Sequence, residues 1–247
     1  MDILKIDSLG ALREKIDPIA QLLGVDVSSQ VFETISLAMV GATSVGKSKT
    51  INGLIGRDVC QVGHVGNTTS EAGWNSVFLT KSIQPDFNLL DLPGWGVSPR
   101  VDAQYKPILQ ENIPEAHAIL WILKADALGT LAYDLQWISD VILPAINHDS
   151  RRIVIGLNQI ETVYDSVMRK TGELSAVQKN NINQKCQLIF QECQQVMPDL
   201  RPEQIQPYSA AQGYRLWDLL HALVSSAGDY GWILEFISKL KEPQKSS

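Results

Sequence analysis

The residues of this chain with the clearest chemical potential stand in "GATSVGKS", positions 41 to 48. The segment has the Gly-x4-Gly-Lys-Ser pattern of a phosphate-binding loop. Gly41 and Gly46 allow backbone conformations and close approaches that a Cβ atom would block. The loop N–H groups can then surround a phosphate, while Lys47 reaches the β- and γ-phosphates and Ser48 binds Mg²⁺. The pattern predicts a nucleotide site, and the alternative is a glycine-rich turn that binds nothing.

A second chemical element lies in "NLLDLPGWG". Asp91 ends an apolar run, and Gly94 follows three residues later. In a phosphate-loop protein, a carboxylate at the tip of the neighbouring strand holds Mg²⁺ through water, and a glycine N–H just beyond it contacts the γ-phosphate. Asp-x-x-Gly alone could be an ordinary turn, but its place after the phosphate loop favours a ligand role.

Between these two elements lies "VGHVGNTTSE". A threonine here can close over Mg²⁺ and the γ-phosphate, so that the loop becomes ordered only when a triphosphate is present. Thr68 and Thr69 are the candidates. The alternative is a solvated loop without a ligand.

The elements that must position these residues can be predicted from hydrophobic patterning. Apolar, β-rich runs alternate with helical patterns, which indicates βαβ units on a mostly parallel sheet. The predicted strands are "TISLAMVG", "WNSVFLT", "FNLLD", "AILWILKA", "RIVIGLN" and a short strand before "PYSA". The predicted helices follow Gly46, lie near 103–112, and occupy 130–143, 174–196 and 212–226.

The predicted domain organisation has three parts. Residues 1–30 form a helical appendage, residues 31–227 form the nucleotide-binding domain, and residues 228–247 form a helix with a polar tail. Packing on the main domain is the expected role of the appendage. A dimerisation helix or a membrane-surface helix is the alternative.

The motifs in their order along the chain resemble a known family. "GATSVGKS", "GNTTSE", "DLPGWG", "GLNQIE" and "PYSAAQG" look like the five motifs of a small GTPase of the translation-factor-related (TRAFAC) class, nearest to its Era-like branch. The run "DLPGWGVSPRVDAQYKPILQENIPEAHAILWILKAD" is similar to the bacterial prophage-type GTPases called YfjP-like. The resemblance covers residues 33 to 227. It implies a three-layer α/β P-loop NTPase G domain, whose six-stranded, mostly parallel sheet has one antiparallel edge strand and is flanked by helices.

The resemblance also implies a set of site residues. The residues implied to bind nucleotide are Gly41, Ser44, Val45, Gly46, Lys47, Ser48, Lys49, Asn158, Gln159, Glu161, Ser209 and Ala210. Ser48, Thr69 and Asp91 are implied to bind the metal, and Lys47, Thr69 and Gly94 to act in catalysis. Thr69 is preferred to Thr68 because the second of the family's paired threonines usually meets the metal.

The base-recognition motif departs from the family pattern of Asn-Lys-x-Asp. Asn158 matches, and Gln159 replaces a lysine whose aliphatic stem lies along the base. Glu161 replaces an aspartate that accepts hydrogen bonds from guanine, and it is longer by one methylene. An acceptor-only group still favours guanine over adenine, whereas a poorly matched carboxylate would cost about 1–3 kcal/mol of binding free energy. The prediction is guanine, with relaxed base choice as the alternative.

The residue after Gly94 is Trp95, where Ras-like proteins place a glutamine that orients the attacking water. Tryptophan cannot orient water, so slow intrinsic hydrolysis is expected, and a nucleotide-bound module without turnover is a further alternative. Some relatives hold a monovalent cation through an asparagine of the phosphate loop. Ser44 matches that position, and its hydroxyl is a candidate ligand for K⁺ or Na⁺.

Composition limits the partners and the cellular location. The net charge of −6 argues against a broad basic face, so RNA or the ribosome is only weakly suggested, and a nucleotide-dependent protein partner or a homodimer is the other possibility. No run approaches the roughly 20 apolar residues of a membrane span, and the N-terminus lacks a signal-peptide layout. Three cysteines, an odd number, indicate reduced thiols and a cytoplasmic protein. The sequence thus predicts a cytoplasmic, Mg²⁺-dependent GTPase that binds GTP and GDP.

Overall fold

The computed structural model describes residues 8–9, 34–60, 71–77, 86–126, 128–163 and 174–228. Thr68 and Thr69, most of the N-terminal appendage and the predicted C-terminal helix lie outside these ranges. Within them, the three cysteines are free thiols, in agreement with the reduced thiols expected from their odd number.

A six-stranded sheet forms the centre of the described structure. Its strands are β1 (Ile35–Val40), β2 (Gly73–Val77), β3 (Phe87–Asp91), β4 (Ala118–Lys124), β5 (Ile153–Asn158) and β6 (Ile205–Pro207). The spatial order is β2-β3-β1-β4-β5-β6, and all neighbours are parallel except β2 and β3. This confirms the predicted sheet with its antiparallel edge strand. The carboxyl ends of the parallel strands therefore meet along one edge.

Helices cover both faces of the sheet. They are α1 (Lys47–Ile55), α2 (Pro99–Asn112), α3 (Leu131–Trp137), α4 (Leu143–Ala145), α5 (Ala176–Cys193) and α6 (Leu216–Ala227). One apolar core includes Leu109, Trp137 and Ile189, while the other includes Ile51 and Leu219. The helices α2, α3 and α5 thus lie on one face, and α1 and α6 on the other. Leu9, from the predicted appendage, is fully buried in the second core.

The helix predicted at 174–196 is observed as α5, two residues shorter at its start and three at its end. Three other predicted helices differ more from those observed. The helix predicted near 103–112 begins at Pro99, because the Ser98 side chain accepts a hydrogen bond from the Val101 N–H and caps it. The helix predicted at 130–143 is interrupted by a π-helical segment, Ile138–Ile142. The interruption precedes Pro144, which cannot donate to the carbonyl four residues earlier and whose ring would clash with it.

The third difference concerns α6, which begins at residue 216 rather than 212. Gly213 and Arg215 have φ values of 65° and 57°, and this left-handed backbone cannot belong to a right-handed helix. Within the described ranges, no helix has the length and apolar character needed to cross a membrane.

Candidate nucleotide-binding site

The phosphate loop joins the end of β1 to the start of α1. Gly41 has φ 146° and Gly46 has φ 102°, values that side chains rarely tolerate. A Cβ atom at Gly41 would lie 2.5 Å from the Ile122 carbonyl oxygen, and one at Gly46 would lie 2.5 Å from Asn158 Nδ2. Both glycines are therefore needed for backbone conformation and for space.

The helix α1 begins directly after Gly46. A glycine at this position has no side chain that could accept hydrogen bonds from the first helical N–H groups. An anion can take that place, because the N–H groups and the helix dipole both favour negative charge here. The loop thus has the local structure that a phosphate needs.

Lys47 lies beside the loop in a buried position. Its Nζ donates hydrogen bonds to the carbonyl oxygens of Gly41 at 3.2 Å and Ala42 at 3.0 Å. Burial lowers the pKa of Lys47 to about 8, and the charges of Asp91 and Asp134 oppose the shift. A bound phosphate would favour the protonated amine, so the ammonium is a natural partner for such a ligand.

Ser48 and Asp91 meet where β3 ends beside α1. The Ser48 hydroxyl donates to Asp91 Oδ2 at 2.7 Å, and Asp91 is only 5% exposed. A hydroxyl and a carboxylate oxygen are the hard ligands that Mg²⁺ prefers, so this pair fits the predicted metal. The described residues contain no cluster of three or more His, Cys, Asp or Glu side chains that could hold a metal without a nucleotide.

Cys60 lies close to this pair, at the last described residue before positions 61–70. Its thiol accepts a hydrogen bond from Asn75 Nδ2 at 3.4 Å. Burial first, and then the charge of the Asp91 carboxylate, raise the pKa of the Cys60 thiol to about 12. The Asn52 side chain also holds this segment, accepting from the N–H groups of Val59 and Cys60 at 3.0 and 2.8 Å.

Gly94 lies directly against the phosphate loop. A Cβ atom here would be 2.3 Å from Lys47 Nζ, 2.8 Å from the Thr43 nitrogen and 2.9 Å from the Ala42 carbonyl carbon. The Gly94 carbonyl accepts a hydrogen bond from Thr43 Oγ1 at 3.0 Å. Only glycine fits at this position, and its main chain reaches the lysine that is predicted to contact phosphate.

Asn158 connects the phosphate loop to the last motif. The side chain is 1% exposed, and its Nδ2 donates to the Val45 carbonyl at 2.8 Å. Its Oδ1 accepts from the Ala210 N–H at 3.0 Å. Asn158 therefore connects the phosphate loop to the segment that begins at Ala210.

Glu161 and Gln159 lie in the turn after β5. Glu161 Oε2 is shielded from solvent and accepts no hydrogen bond from the part of the chain that the structure describes. Gln159 adopts a left-handed φ of 62°, and its Nε2 lies 3.5 Å from the carbonyls of Ser44 and Val45. A buried acceptor without a protein donor is expected where a ligand supplies the donor.

Ser209 and Ala210 lie beside Asn158, but the Ser209 side chain has a local role. Its hydroxyl accepts from the Gln212 N–H at 3.0 Å, so it caps the turn. The preceding Tyr208 is fully buried and hydrogen-bonds Thr50 Oγ1 at 2.8 Å, which ties this motif to α1. Lys49 and Ser44 are exposed at the surface of the same region.

Trp95 is buried and turned into the protein. It is 1% exposed, and its Nε1 donates to Asp134 Oδ1 at 2.5 Å. Its ring is stacked on Trp137, with ring centroids 5.1 Å apart and an interplanar angle of 7°. The Asp134 carboxylate also accepts from Thr130 Oγ1 at 3.2 Å, and burial raises its pKa against these hydrogen bonds.

The sequence motifs did not predict several residues that organise the site. Asp134 and Trp137 are one example, and Asp102 is another, because its carboxylate accepts from the N–H groups of Gly96 and Val97. Asp134 and Trp137 are three apart on a helix, so they share a face. That spacing was visible in the sequence, but nothing in it indicated that Trp95 would be their partner.

The sheet order, the phosphate loop and the paired Ser48 and Asp91 define the class as a P-loop GTPase fold. Residues 36–159 match the family described as 50S ribosome-binding GTPase, and the chain belongs to this family. Two Escherichia coli K12 proteins, YkfA and YfjP, are 30% and 29% identical to it over 162 residues, or 66% of this chain. These matches cover 53% of each relative, so this chain corresponds to about half of their length. The likeness to YfjP confirms the predicted resemblance.

Among solved structures, the chain is similar to Era. Era of Aquifex aeolicus, bound to GDP·AlF4⁻, aligns with a TM-score of 0.58 at 22% identity, over 80% of this chain and 58% of Era. Era in complex with MgGDPNP and nucleotides 1506–1542 of 16S ribosomal RNA aligns with a TM-score of 0.57 at 21% identity, over 79% and 57%. At this identity the likeness establishes the fold.

Proposed function

We propose that this protein is a guanine-nucleotide-binding switch that hydrolyses GTP to GDP and phosphate slowly, with Mg²⁺. The observation that carries the proposal is the meeting of Lys47, Ser48 and Asp91 at one edge of the sheet. Lys47 Nζ lies against the phosphate loop, and the Ser48 hydroxyl lies 2.7 Å from the Asp91 carboxylate. A loop built only to bind an anion would not need a carboxylate beside it.

Each residue has a distinct role in the proposed reaction. The loop N–H groups and Lys47 bind and orient the phosphates. Ser48 and Asp91, together with Thr69, would hold Mg²⁺, which when bound would neutralise charge on the β- and γ-phosphates. The Gly94 N–H is proposed to contact the γ-phosphate, and water attacks in line with the bond to the β-phosphate.

Guanine recognition is proposed from the free acceptor of Glu161. Its Oε2 is shielded and lacks a hydrogen-bond donor among the described residues. Guanine offers N1–H and N2–H₂ as donors, whereas adenine offers no N1–H. Asn158, Gln159 and Ala210 complete the proposed base site, with the Ala210 N–H shared between Asn158 and the base oxygen.

The slow rate is proposed from the position of Trp95. Its side chain is buried and bonded to Asp134, so it does not orient water. Activation must then come from elsewhere. A K⁺ or Na⁺ ion near Ser44 is one candidate. If the rate of hydrolysis is unchanged when N-methylglucamine replaces these ions, the cation is excluded as the source of activation.

A partner that binds one nucleotide state is part of the proposal. A protein partner or a second copy of the chain fits the net charge of −6 better than RNA does. The RNA complex of Era is a property of Era, and RNA remains the weaker candidate for this chain.

Calorimetric titration of GDP, a non-hydrolysable GTP analogue and ADP, each with Mg²⁺, tests the base site. GDP is expected to bind about a hundredfold more tightly than ADP. Glu161→Gln should reduce this preference by about ten- to a hundredfold, since an amide presents a donor where the base also presents donors. Glu115→Gln is the matched control, because Glu115 is exposed and lies outside the site.

The alternatives give different results. Equal binding of GDP and ADP, with guanine preference appearing in Glu161→Asp, would mean relaxed base choice. Tight GDP and GTP-analogue binding without phosphate release under any cation condition would mean a nucleotide-bound module. A Lys47→Ala variant supplies the baseline for phosphate release.

A further inference from the structure

Trp95 lies between two parts of the molecule and bonds to both. Its indole N–H donates to Asp134 of α3, and its ring is stacked on Trp137 at the end of the same helix. Trp95, Asp134 and Trp137 are 1%, 3% and 3% exposed. We call these three residues the tryptophan anchor.

The main chain of Trp95 pairs with the phosphate loop. Its carbonyl accepts a hydrogen bond from the Thr43 N–H at 2.8 Å, and residues 42 and 95 form a parallel β-bridge. The neighbouring Gly94 carbonyl accepts from Thr43 Oγ1 at 3.0 Å. Trp95 thus contacts α3 through its side chain and contacts the predicted phosphate loop through its backbone.

The segment between these attachments is short and closely packed. Gly94 has no room for a Cβ atom, which would lie 2.3 Å from Lys47 Nζ. The negative charge of Asp134 acts on Lys47 from the anchor side of this segment. A shift of the anchor would therefore move the Gly94 main chain relative to the lysine.

We propose that Asp134 and Trp137 are positioning residues for GTP hydrolysis, which act through Trp95 to hold the Gly94–Trp95 main chain against the phosphate loop. This inference rests on the proposed GTPase function. Neither residue touches the nucleotide in this scheme. Their role is to fix the Gly94 N–H where it contacts the γ-phosphate.

Because the anchor is buried, we expect it to stay closed in every nucleotide state. Opening it would expose two stacked indoles to water and leave the buried Asp134 carboxylate without its shortest hydrogen bond. Rearrangements between GDP and GTP states are therefore expected on the nucleotide side of Gly94. An anchor that stays closed lowers the entropy lost when the γ-phosphate is bound.

Single-turnover hydrolysis in Trp95→Phe and Asp134→Leu tests the role. Both variants remove the indole–carboxylate hydrogen bond, and kcat is expected to fall about tenfold or more. GDP affinity should stay within about twofold of wild type in Trp95→Phe, which keeps the Asp134 charge that acts on Lys47. The double variant should be no slower than the slower single variant, because both changes break the same contact. Asp134→Asn keeps an acceptor oxygen and should restore most of kcat.

Controls separate positioning from a general loss of stability. Trp217→Phe is the matched control, since Trp217 lies on α6 at the opposite face of the sheet and packs against the other core. Circular dichroism and thermal melts establish that each variant is folded. A folded Trp95→Phe and Asp134→Leu with wild-type kcat, or independent effects in the double variant, would overturn the proposal.

A second measurement does not depend on turnover. The stacked pair should give an exciton signal in circular dichroism that is absent in Trp137→Phe and unchanged between nucleotide-free, GDP and GTP-analogue states. Loss of the signal on binding the analogue would refute a closed anchor.

Affinity separates the failure of this inference from failure of the proposed function. If the wild type releases no phosphate, the GTPase function fails. Trp95→Phe, which keeps the Asp134 charge, should then still bind the GTP analogue about tenfold more weakly and GDP normally, because only the γ-phosphate meets Gly94. Equal loss for both nucleotides, or no loss for either, would refute the positioning role.

Discussion

Substitution of Gly94 by alanine tests the contact between the segment after β3 and the phosphate loop. The new Cβ would lie 2.3 Å from Lys47 Nζ, 2.8 Å from the Thr43 nitrogen and 2.9 Å from the Ala42 carbonyl carbon. Ordinary van der Waals contact begins near 3.4 Å, so Lys47 would have to move by about 1 Å. The two other neighbours belong to the backbone and cannot rotate away.

The expected magnitude follows from this overpacking. Forcing a methyl group into a closely packed site costs about 1–3 kcal/mol. If the strain is released by separating the phosphate loop from Gly94, GTP-analogue affinity falls by about 5- to 150-fold. The affinity for GDP should fall less, because GDP shares the Lys47 contact but has no γ-phosphate for the Gly94 N–H.

Calorimetry with both nucleotides and Mg²⁺ measures this difference, alongside a thermal melt. Gly73→Ala is the matched control, since a Cβ there meets nothing within 4 Å. Wild-type affinity for the GTP analogue in a variant that melts at the wild-type temperature would contradict the packing argument. Equal losses for GDP and the analogue would place the effect on Lys47 alone.

Three further predictions concern the rest of the site. Asn158→Ala leaves two buried main-chain groups without their partner and should lower the free energy of unfolding by about 2–4 kcal/mol, measured in urea, with weaker GDP binding. Tyr208→Phe should lower it by only about 0.5–1.5 kcal/mol, because the Thr50 hydroxyl keeps its bond to the Gly46 carbonyl. Since the pKa of Lys47 is about 8 in the free protein and a phosphate would raise it, GDP binding should take up protons increasingly from pH 7 to 9. The uptake should be about half a proton at pH 8, measured by calorimetry in buffers of different ionisation enthalpy, and uptake that stays constant over this range would contradict the assignment.

The sequence predicted the fold well where the pattern of residues reflects local physics. The apolar runs that became β1, β3, β4 and β5 are buried on both sides, and such strands have a strong signature. Helix boundaries were less well predicted, because they depend on single residues. The apolar pattern continues without a break up to Pro144, so it did not predict the π-helical segment Ile138–Ile142.

The candidate site also combines residues that the sequence predicted with features that only the structure shows. The glycines, Lys47, Ser48 and Asp91 could be named from the sequence, since their spacing reflects a requirement for backbone conformation and for hard oxygen ligands. Glu161 could be named too, but not the fact that its Oε2 is buried without a donor among the described residues. Burial depends on how the turn after β5 packs.

Trp95 shows the difference between what residue type determines and what tertiary packing determines. The sequence by itself determined that the side chain directly after Gly94, an indole, cannot orient the attacking water, because that follows from residue type alone. Only the tertiary structure decided that the indole is buried, bonded to Asp134 and stacked on Trp137. The physical reason is distance along the chain: the anchor joins residues about forty positions apart, and no local pattern records which helix face a distant side chain will meet.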